Sequence, residues 1–315
     1  MTGDPAVSPA VTITTVLYNS VATLGAYADG VAQALEDGVV HVIAVDNASP
    51  DASGQEFRRL LPRATLLQSP VNGGFAAGCN MSWPLVESRY WLLLNPDVEP
   101  TAEGLATLAE WMDEHPRVAI ASPALRGADG RLIPVVVPHD TLWRPLLEAM
   151  RLHKLIPEPH RSRLLLSGRR RTPAEGAYWV QGAAMMVRCD ALKSVGLMDE
   201  SFFMYGEERE WCRRIVRSGW SIGFCAEVEF THAEGESAKR TWGDAQRIRH
   251  EVEGHIRATR RMRGRAFARM LALCLAVTLW AEAADPRRSS RSGAPEQRMR
   301  ARFYSRAFRR LPNSA

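Results

Sequence analysis

The sequence has little cysteine, and none of it is arranged as a framework. Five cysteines (Cys79, Cys189, Cys212, Cys225, Cys274) stand in 315 residues, odd in number and without a CxxC spacing. That argues against a disulfide scaffold and a structural zinc site, and for a reducing compartment. The chain also has no GxGxxG pattern, so a dinucleotide-binding reading is not supported. The loop after the first strand-like run, "VLYNSVATLG" (16–25), holds no Lys or Arg. A nucleotidyltransferase on a similar sheet would want a basic phosphate-binding loop there. The opening residues, "MTGDPAVSPA", have no basic patch followed by an apolar stretch, and no signal peptide is expected in them. The apolar run at 270–281 is twelve residues, short of the roughly 20 that a membrane-spanning helix needs. No internal repeat or low-complexity tract is evident.

What is present is an ordinary globular composition, 46% hydrophobic and 24% charged. The net charge of +5 is unevenly spread. Residues 239–315 carry thirteen more basic than acidic side chains, which leaves residues 1–238 with eight more acids than bases. Such a basic extension binds an anionic surface or is a solvated, partly disordered tail. No aromatic or zinc-based recognition motif accompanies it, so nucleic acid is not the expected partner.

Strand and helix patterns alternate through the first half. "VTITTVLY" (11–18) reads as a β-branched strand, and Val21, Leu24, Ala28, Val31 and Leu35 then recur at helical spacing. "VVHVIAVDN" (39–47) is a second strand, and Ser53-x-x-Glu56 predicts a capping box opening a helix through Phe57 and Leu60. "ATLLQ" (64–68), "YWLLLN" (90–95) and "VAIASP" (118–123) add strands, with a helix marked by Leu105, Leu108, Trp111 and Met112 between the last two. This alternation predicts an α/β domain, a mostly parallel sheet with helices on both faces. Ligands in such sheets bind beyond the carboxyl ends of the strands, where Asp46 and Asp97 both fall. Residues 124–177, rich in Pro and Arg, read as irregular or short helical structure. The expected division is a domain over 1–238, a basic helical region over 239–284 and an Arg-rich tail over 285–315. The run at 270–281 reads either as a helix in a membrane interface or as one packing on the domain.

Taken singly, the polar candidates have bland readings. Asp46 and Asp97 suit turns, Asn72-Gly73-Gly74-Phe75 suits a loop into a helix, and His232 suits a loop or a metal or phosphate site. Glu207, Glu208 and Glu210 open a helix, where its dipole favours acids. Three acids in four residues also repel one another, which raises the proton affinity of one of them.

Their order along the chain is more specific. Strand-Asp46, NGGFAAGCN, LLLNPD, QGAAMMVR, MYGEEREWC and HAEGES resemble the family 2 inverting glycosyltransferases of GT-A fold, in particular the rhamnosyltransferase-like members. The resemblance spans roughly residues 10–240. It implies that Asp46 contacts the base of a dTDP- or UDP-sugar, and that Asn72, Gly73, Gly74 and Asn80 frame the nucleoside and sugar. Asn95-Pro96-Asp97 matches the Asp-x-Asp motif with Asn first, so Asp97 would hold Mg²⁺ or Mn²⁺ against the diphosphate with His232 as a second contact. Gln181 and Gly182 would line the acceptor side of the sugar. Glu208 stands where the family usually has an aspartate base, one methylene longer, with Glu207 second. The implied reaction transfers a hexose, rhamnose from dTDP-rhamnose among them, to a hydroxyl of a glycan or lipid-linked glycan. The basic extension would hold the enzyme, otherwise cytoplasmic, on the inner face of the plasma membrane. The rival expectations are a non-catalytic nucleotide-sugar-binding scaffold and a transferase acting on a soluble small molecule.

Overall fold

The structure, a computed structural model, describes residues 9–142, 178–233, 243–284 and 294–311. Its first part is β1 (Val11–Leu17), α1 (Leu24–Glu36), β2 (Val40–Asp46), α2 (Ser53–Leu60), β3 (Thr65–Gln68), α3 (Phe75–Ser82) and β4 (Tyr90–Leu94). Next come β5 (Val98–Glu99), α4 (Ala102–Glu114), β6 (Val118–Gly127), β7 (Leu132–Ile133) and β8 (Val136–Pro138). After the break follow β9 (Tyr178–Val180), β10 (Ala184–Arg188), α5 (Cys189–Val195), α6 (Glu207–Arg217) and β11 (Ser221–His232). Two long helices end the described chain, α7 (Asp244–Ala284) and α8 (Ala294–Arg310).

The main sheet runs β3-β2-β1-β4-β10-β6-β11-β5, with β7 paired to β6. Its first four strands are parallel, as right for strands joined through helices. β10 is antiparallel to both β4 and β6, with Ala184 opposite Leu94 and Met186 opposite Ala121. The sheet is therefore mixed.

β4 shows why a strand can be apolar throughout. Side chains alternate across a strand. Tyr90, Leu92 and Leu94 enter one core with Tyr27 and Val31 of α1 and Leu105, Leu108 and Met112 of α4. Trp91 and Leu93 enter the other with Cys79 of α3, Leu192 of α5 and Trp211 and Ile215 of α6. Trp91 is fully buried and donates its indole N–H to Thr14 Oγ1 at 2.8 Å, so its one polar atom is satisfied.

Three local expectations are corrected. Helix α2 begins after Ala52 without a side-chain cap. Ser53 is its first residue, and its hydroxyl accepts the Ser20 N–H at 2.8 Å and donates to Asp51 instead. The stretch after residue 124 is not irregular from its start: β6 continues to Gly127, and β7 and β8 follow, because the backbone pairs with β6 and with β9. The rest of that stretch, 143–177, where a variable, acceptor-side segment is expected, lies outside the described residues. Residues 294–310, expected in a partly disordered tail, form α8. The arginines mask an apolar row at four-residue spacing, Met299, Phe303, Ala307 and Leu311, which packs on Ile248, Val252, Ala268, Ala272 and Ala276 of α7.

Gly264, in the left-handed region at φ 84°, breaks α7 into two halves. The half after the break is apolar over a longer window than 270–281. By length and composition alone α7 qualifies as a membrane-crossing helix, with a third of its apolar window buried against the rest of the protein. Its first half lies against α6 and the loop before it. Gly254 makes that approach feasible, since a β-carbon there would sit 1.9 Å from the Tyr205 carbonyl oxygen.

Candidate active site

A cleft of about 730 Å³ opens beyond the carboxyl ends of β1 and β4. Val16, Tyr18 and Ser20 line it where β1 ends, and Asn47 where β2 ends. Asn47 is buried and fixes the loop 72–74: its Nδ2 donates to Asn72 Oδ1 and to the Gly74 carbonyl, both at 3.0 Å, and its Oδ1 accepts the Gly73 N–H at 3.1 Å.

Asp97 and His232 meet because two strand ends pair. β5 lies antiparallel to the end of β11, with His232 opposite Val98, and the Ala233 N–H donates to the Asp97 carbonyl at 2.9 Å. Asp97 Oδ1 and His232 Nε2 are 3.3 Å apart, and both side chains are under 10% exposed. Neither of those atoms, nor His232 Nδ1, has a hydrogen-bond partner among the described residues. Buried polar groups are normally paired. One carboxylate oxygen and one imidazole nitrogen converging without a partner fit a divalent cation, provided the remaining ligands come from a diphosphate and water. Among the described residues no group of three or more His, Cys, Asp or Glu side chains converges to hold a metal without such help.

Another part of the lining is the start of α6, whose preceding loop packs on the loop 72–74 through the Phe75 N–H, which donates to the Phe203 carbonyl at 3.0 Å. Tyr205 sits in the left-handed region at φ 65°, a strained conformation for a large side chain, and Gly206 follows at φ 98°. This turn aims Glu207 and Glu208 into the cleft. Burial pushes the Glu207 carboxyl well above the usual range, and the neighbouring Glu208 charge adds to it. Burial also raises Glu208, opposed by the Arg209 guanidinium and by the Gly206 and Gly182 backbone amides. The contact with Gly182 is close: a β-carbon there would sit 2.7 Å from Glu208 Oε1. Glu210 is accounted for otherwise, held at 2.9 Å by Arg214, which also donates to the Val195 and Leu197 carbonyls. Arg209 lies 4.6 Å over the Trp179 ring and pairs with Asp140.

Of the residues singled out in the sequence, Asn72, Gly74, Asn95, Asp97, Gln181, Gly182, Glu207, Glu208 and His232 line this one cleft. Asp46, Gly73 and Asn80 do not. Asp46 turns aside to accept the Ser49 N–H at 2.9 Å, with Gln68 at 3.5 Å. Gly73 presents only its N–H, to Asn47. Asn80 is a structural tie, donating to the Met198 carbonyl at 2.9 Å and to Glu200 at 3.0 Å. The sequence reading missed Asn47, Tyr205, Arg209 and Trp179, and it missed five residues of the last two helices: Arg247, Glu251, His255, Arg300 and Tyr304. A signal for these existed, since Arg247-Glu251-His255 and Arg300-Tyr304 repeat every four residues, one face of a helix.

Comparison with known proteins gives these features a setting. A curated relative, the N-acetylglucosaminyl-diphospho-decaprenol L-rhamnosyltransferase of Mycobacterium tuberculosis, is 25% identical over 214 residues, 64% of this chain and 69% of its own. The low-salt glycan biosynthesis hexosyltransferase Agl10 of Haloferax volcanii is 30% identical over 208 residues, 62% of this chain and 59% of its own. Among solved structures, the mannosyltransferase PcManGT of Pyrobaculum calidifontis, in complex with GDP-Man and Mn²⁺, superposes with a TM-score of 0.58 at 15% identity. It covers 96% of this chain and 87% of that one, a likeness of fold. The profile of glycosyl transferase family 2 matches residues 12–196, more than half the chain. The chain therefore belongs to glycosyl transferase family 2 and is a glycosyltransferase with the GT-A fold.

Proposed function

We propose that the protein is an inverting transferase that moves a hexose from a nucleoside-diphosphate sugar to a hydroxyl of a glycan or lipid-linked glycan. One observation carries this reading: the unpartnered Asp97–His232 pair and the proton-holding Glu207–Glu208 pair line the same cleft. The names of the two curated relatives support it, one acting on a diphospho-decaprenol-linked sugar and the other in glycan biosynthesis.

Each residue has a task that follows from its chemistry. The Asn47-clamped loop 72–74 and Tyr18 and Ser20 line the side where the nucleoside and diphosphate would lie. Asp97 and His232 would hold Mg²⁺ or Mn²⁺. When bound, that ion offsets the charge that develops on the departing diphosphate. Asn95, in place of an acid, leaves the pair with less negative charge of its own, so the donor phosphates complete the site. Glu208 takes the proton of the acceptor hydroxyl as that oxygen attacks the anomeric carbon on the face opposite the diphosphate, and the configuration inverts. Glu207, held protonated by burial and by its neighbour's charge, leaves the negative charge of the pair to Glu208.

A membrane-peripheral location on the cytoplasmic side belongs to the same proposal. Met270, Val277 and Trp280 of α7 are each more than 40% exposed, on a chain end rich in arginine. Sedimentation with anionic vesicles at low salt checks it, and its absence would remove the membrane from the account.

The test of the activity is a thermal-shift screen of dTDP-, UDP- and GDP-sugars with and without Mn²⁺, followed by transfer assays on N-acetylglucosaminyl-diphospho-polyprenol. Stabilisation by one nucleotide class that Asp97→Ala abolishes, followed by an inverted product, is the expected result. Donor binding without turnover on any glycan or lipid-linked sugar would instead make the protein a binding scaffold.

A further inference from the structure

The last two helices reach the cleft with a polar face that the family 2 features do not require. Arg247, Glu251 and His255 succeed one another along α7, and Arg300 and Tyr304 stand on α8. Glu251 joins the helices, 2.6 Å from Arg247 Nη1 and 2.6 Å from Arg300 Nη2. Glu296 closes the group from behind, 2.9 Å from Arg300 and 3.5 Å from Arg247. His255 is held on both nitrogens, by the Tyr304 hydroxyl and by Asp140 Oδ2, each at 2.7 Å. Asp140 in turn pairs with Arg209, the residue after Glu208. A chain of contacts thus runs from α8 through α7 to the start of α6.

The charges in this wall cancel: Arg247 and Arg300 face Glu251 and Glu296, and Arg209 faces Asp140. A phosphate-binding wall would show uncompensated cations. Fixed donors and acceptors in alternation, beside aromatic rings at Trp179, Tyr205 and Tyr304, suit the hydroxyls and apolar faces of a sugar ring. Two donors lack a partner among the described residues, Arg247 Nε in this wall and Trp179 Nε1 beside it. A buried donor without a partner is costly, and a ligand oxygen would satisfy it.

The geometry points to α7 and α8 as the acceptor half of the cleft: Arg247, Glu251, His255, Arg300 and Tyr304 hold the ring hydroxyls of a neutral sugar so that one hydroxyl faces Glu208. The inference rests on the transferase reading for the identity of Glu208 as base, but it makes a claim about binding that can be measured without turnover.

The experiment is calorimetry on the full chain with short-chain polyprenyl diphosphates carrying N-acetylglucosamine, glucose or galactose, with the nucleoside diphosphate present. Glu251→Gln and Tyr304→Phe are each expected to weaken the sugar-bearing probe that binds by roughly tenfold, the size of one lost hydrogen bond to a charged or fixed partner. The donor Kd should stay within about twofold, because among the described residues no hydrogen bond or ion pair ties these side chains to Asp97 or the loop 72–74. Glu251→Gln cuts a tie between helices, so Tyr304→Phe, which removes one oxygen, decides the matter if the first variant does not fold. Sugar-free polyprenyl diphosphate should bind the variants as it binds the unmutated protein, or bind neither. Equal weakening of the sugar-free compound would show that the wall holds phosphate, and would overturn the inference. An unchanged Kd for the sugar-bearing probe in both folded variants, or no binding of any probe by the unmutated protein, would overturn it too. Loss of donor binding by the unmutated protein would count against the transferase reading instead, a separate outcome.

Discussion

The cleft has two walls of different construction. The strand-end wall is made of backbone ends and short loops, and its key atoms, on Asp97 and His232, are left unpartnered among the described residues. The helical wall is made of long side chains from α6, α7 and α8 that pair with one another across the helices, with Arg247 Nε and Glu207 Oε2 left over among the described residues. On the proposed function, the first takes a highly charged ligand whose own atoms complete the site. The second is pre-assembled, and it suits a ligand selected by shape and hydroxyl placement. A wall that waits for its ligand concentrates function in single residues; a wall that is already a network spreads it.

The contrast can be broken at several points. The largest effect is expected at Asp97→Ala. Losing several kcal/mol of charge stabilisation should lower the transfer rate about 10³-fold, read as initial rates across a Mn²⁺ titration. A loss under about tenfold would show that the strand-end wall does not concentrate function as described. Trp91→Ala should lower stability by about 3–5 kcal/mol, because it empties the core under both walls and removes one of the two hydrogen bonds of the Thr14 hydroxyl; denaturant unfolding reads this. Glu208→Gln should cost about 10²-fold in kcat while the donor Kd stays put. The proposed base acts as an anion, and burial favours the protonated form of Glu208, so the rate should rise with pH through a midpoint above the ordinary glutamate value of 4.5. Glu207 is held protonated by burial and by the Glu208 charge, so Glu207→Gln, a neutral replacement, should leave that midpoint nearly in place. A clear downward move would show that Glu207 is charged and would reverse the assignment of the pair.

On the helical wall, Gly254→Ala tests docking against helix propensity. Alanine favours a helix by about 1 kcal/mol over glycine. Here the added carbon meets the Tyr205 carbonyl, so the melting temperature should fall, by the about 1–3 kcal/mol typical of overpacking. A rise would mean that α7 is not seated on the turn before Glu207. The smallest effect is the control, Arg59→Ala, which removes an exposed pair with Glu56 far from both walls and should leave the melting temperature unchanged.

The two walls were also unequally legible. The strand-end wall could be read because a short motif carries both its position and its chemistry: "LLLNPD" contains the strand, the turn and the carboxylate. The helical wall could not, because its parts lie on α6, α7 and α8, nearly a hundred residues apart from Glu207 to Tyr304, and only packing brings them together. Charge count hid the site there. Thirteen excess basic residues over 239–315 point to an anionic surface or a loose tail and say nothing of Arg247 and Arg300, which are tied to Glu251 and Glu296 in the cleft. Asn47 was hidden for a different reason. Beside Asp46 it looks like turn chemistry, and its role appears only once the loop 72–74 is folded over it. Asn80 differs in another way: the family resemblance implies a ligand contact for it, and in the fold its amide donates to the Met198 carbonyl.

The position of β10 has a consequence for how the chain reaches this state. β4 pairs with β1 on one side and with β10 on the other, so its second edge is closed by residues about ninety positions later in the chain. During synthesis the parallel half emerges first, with an apolar strand open along one side until residue 188 has been made. An open apolar edge is a template for pairing with another chain. Chains that stop between β6 and β9 should therefore aggregate, whereas the complete chain seals the edge with its own strand.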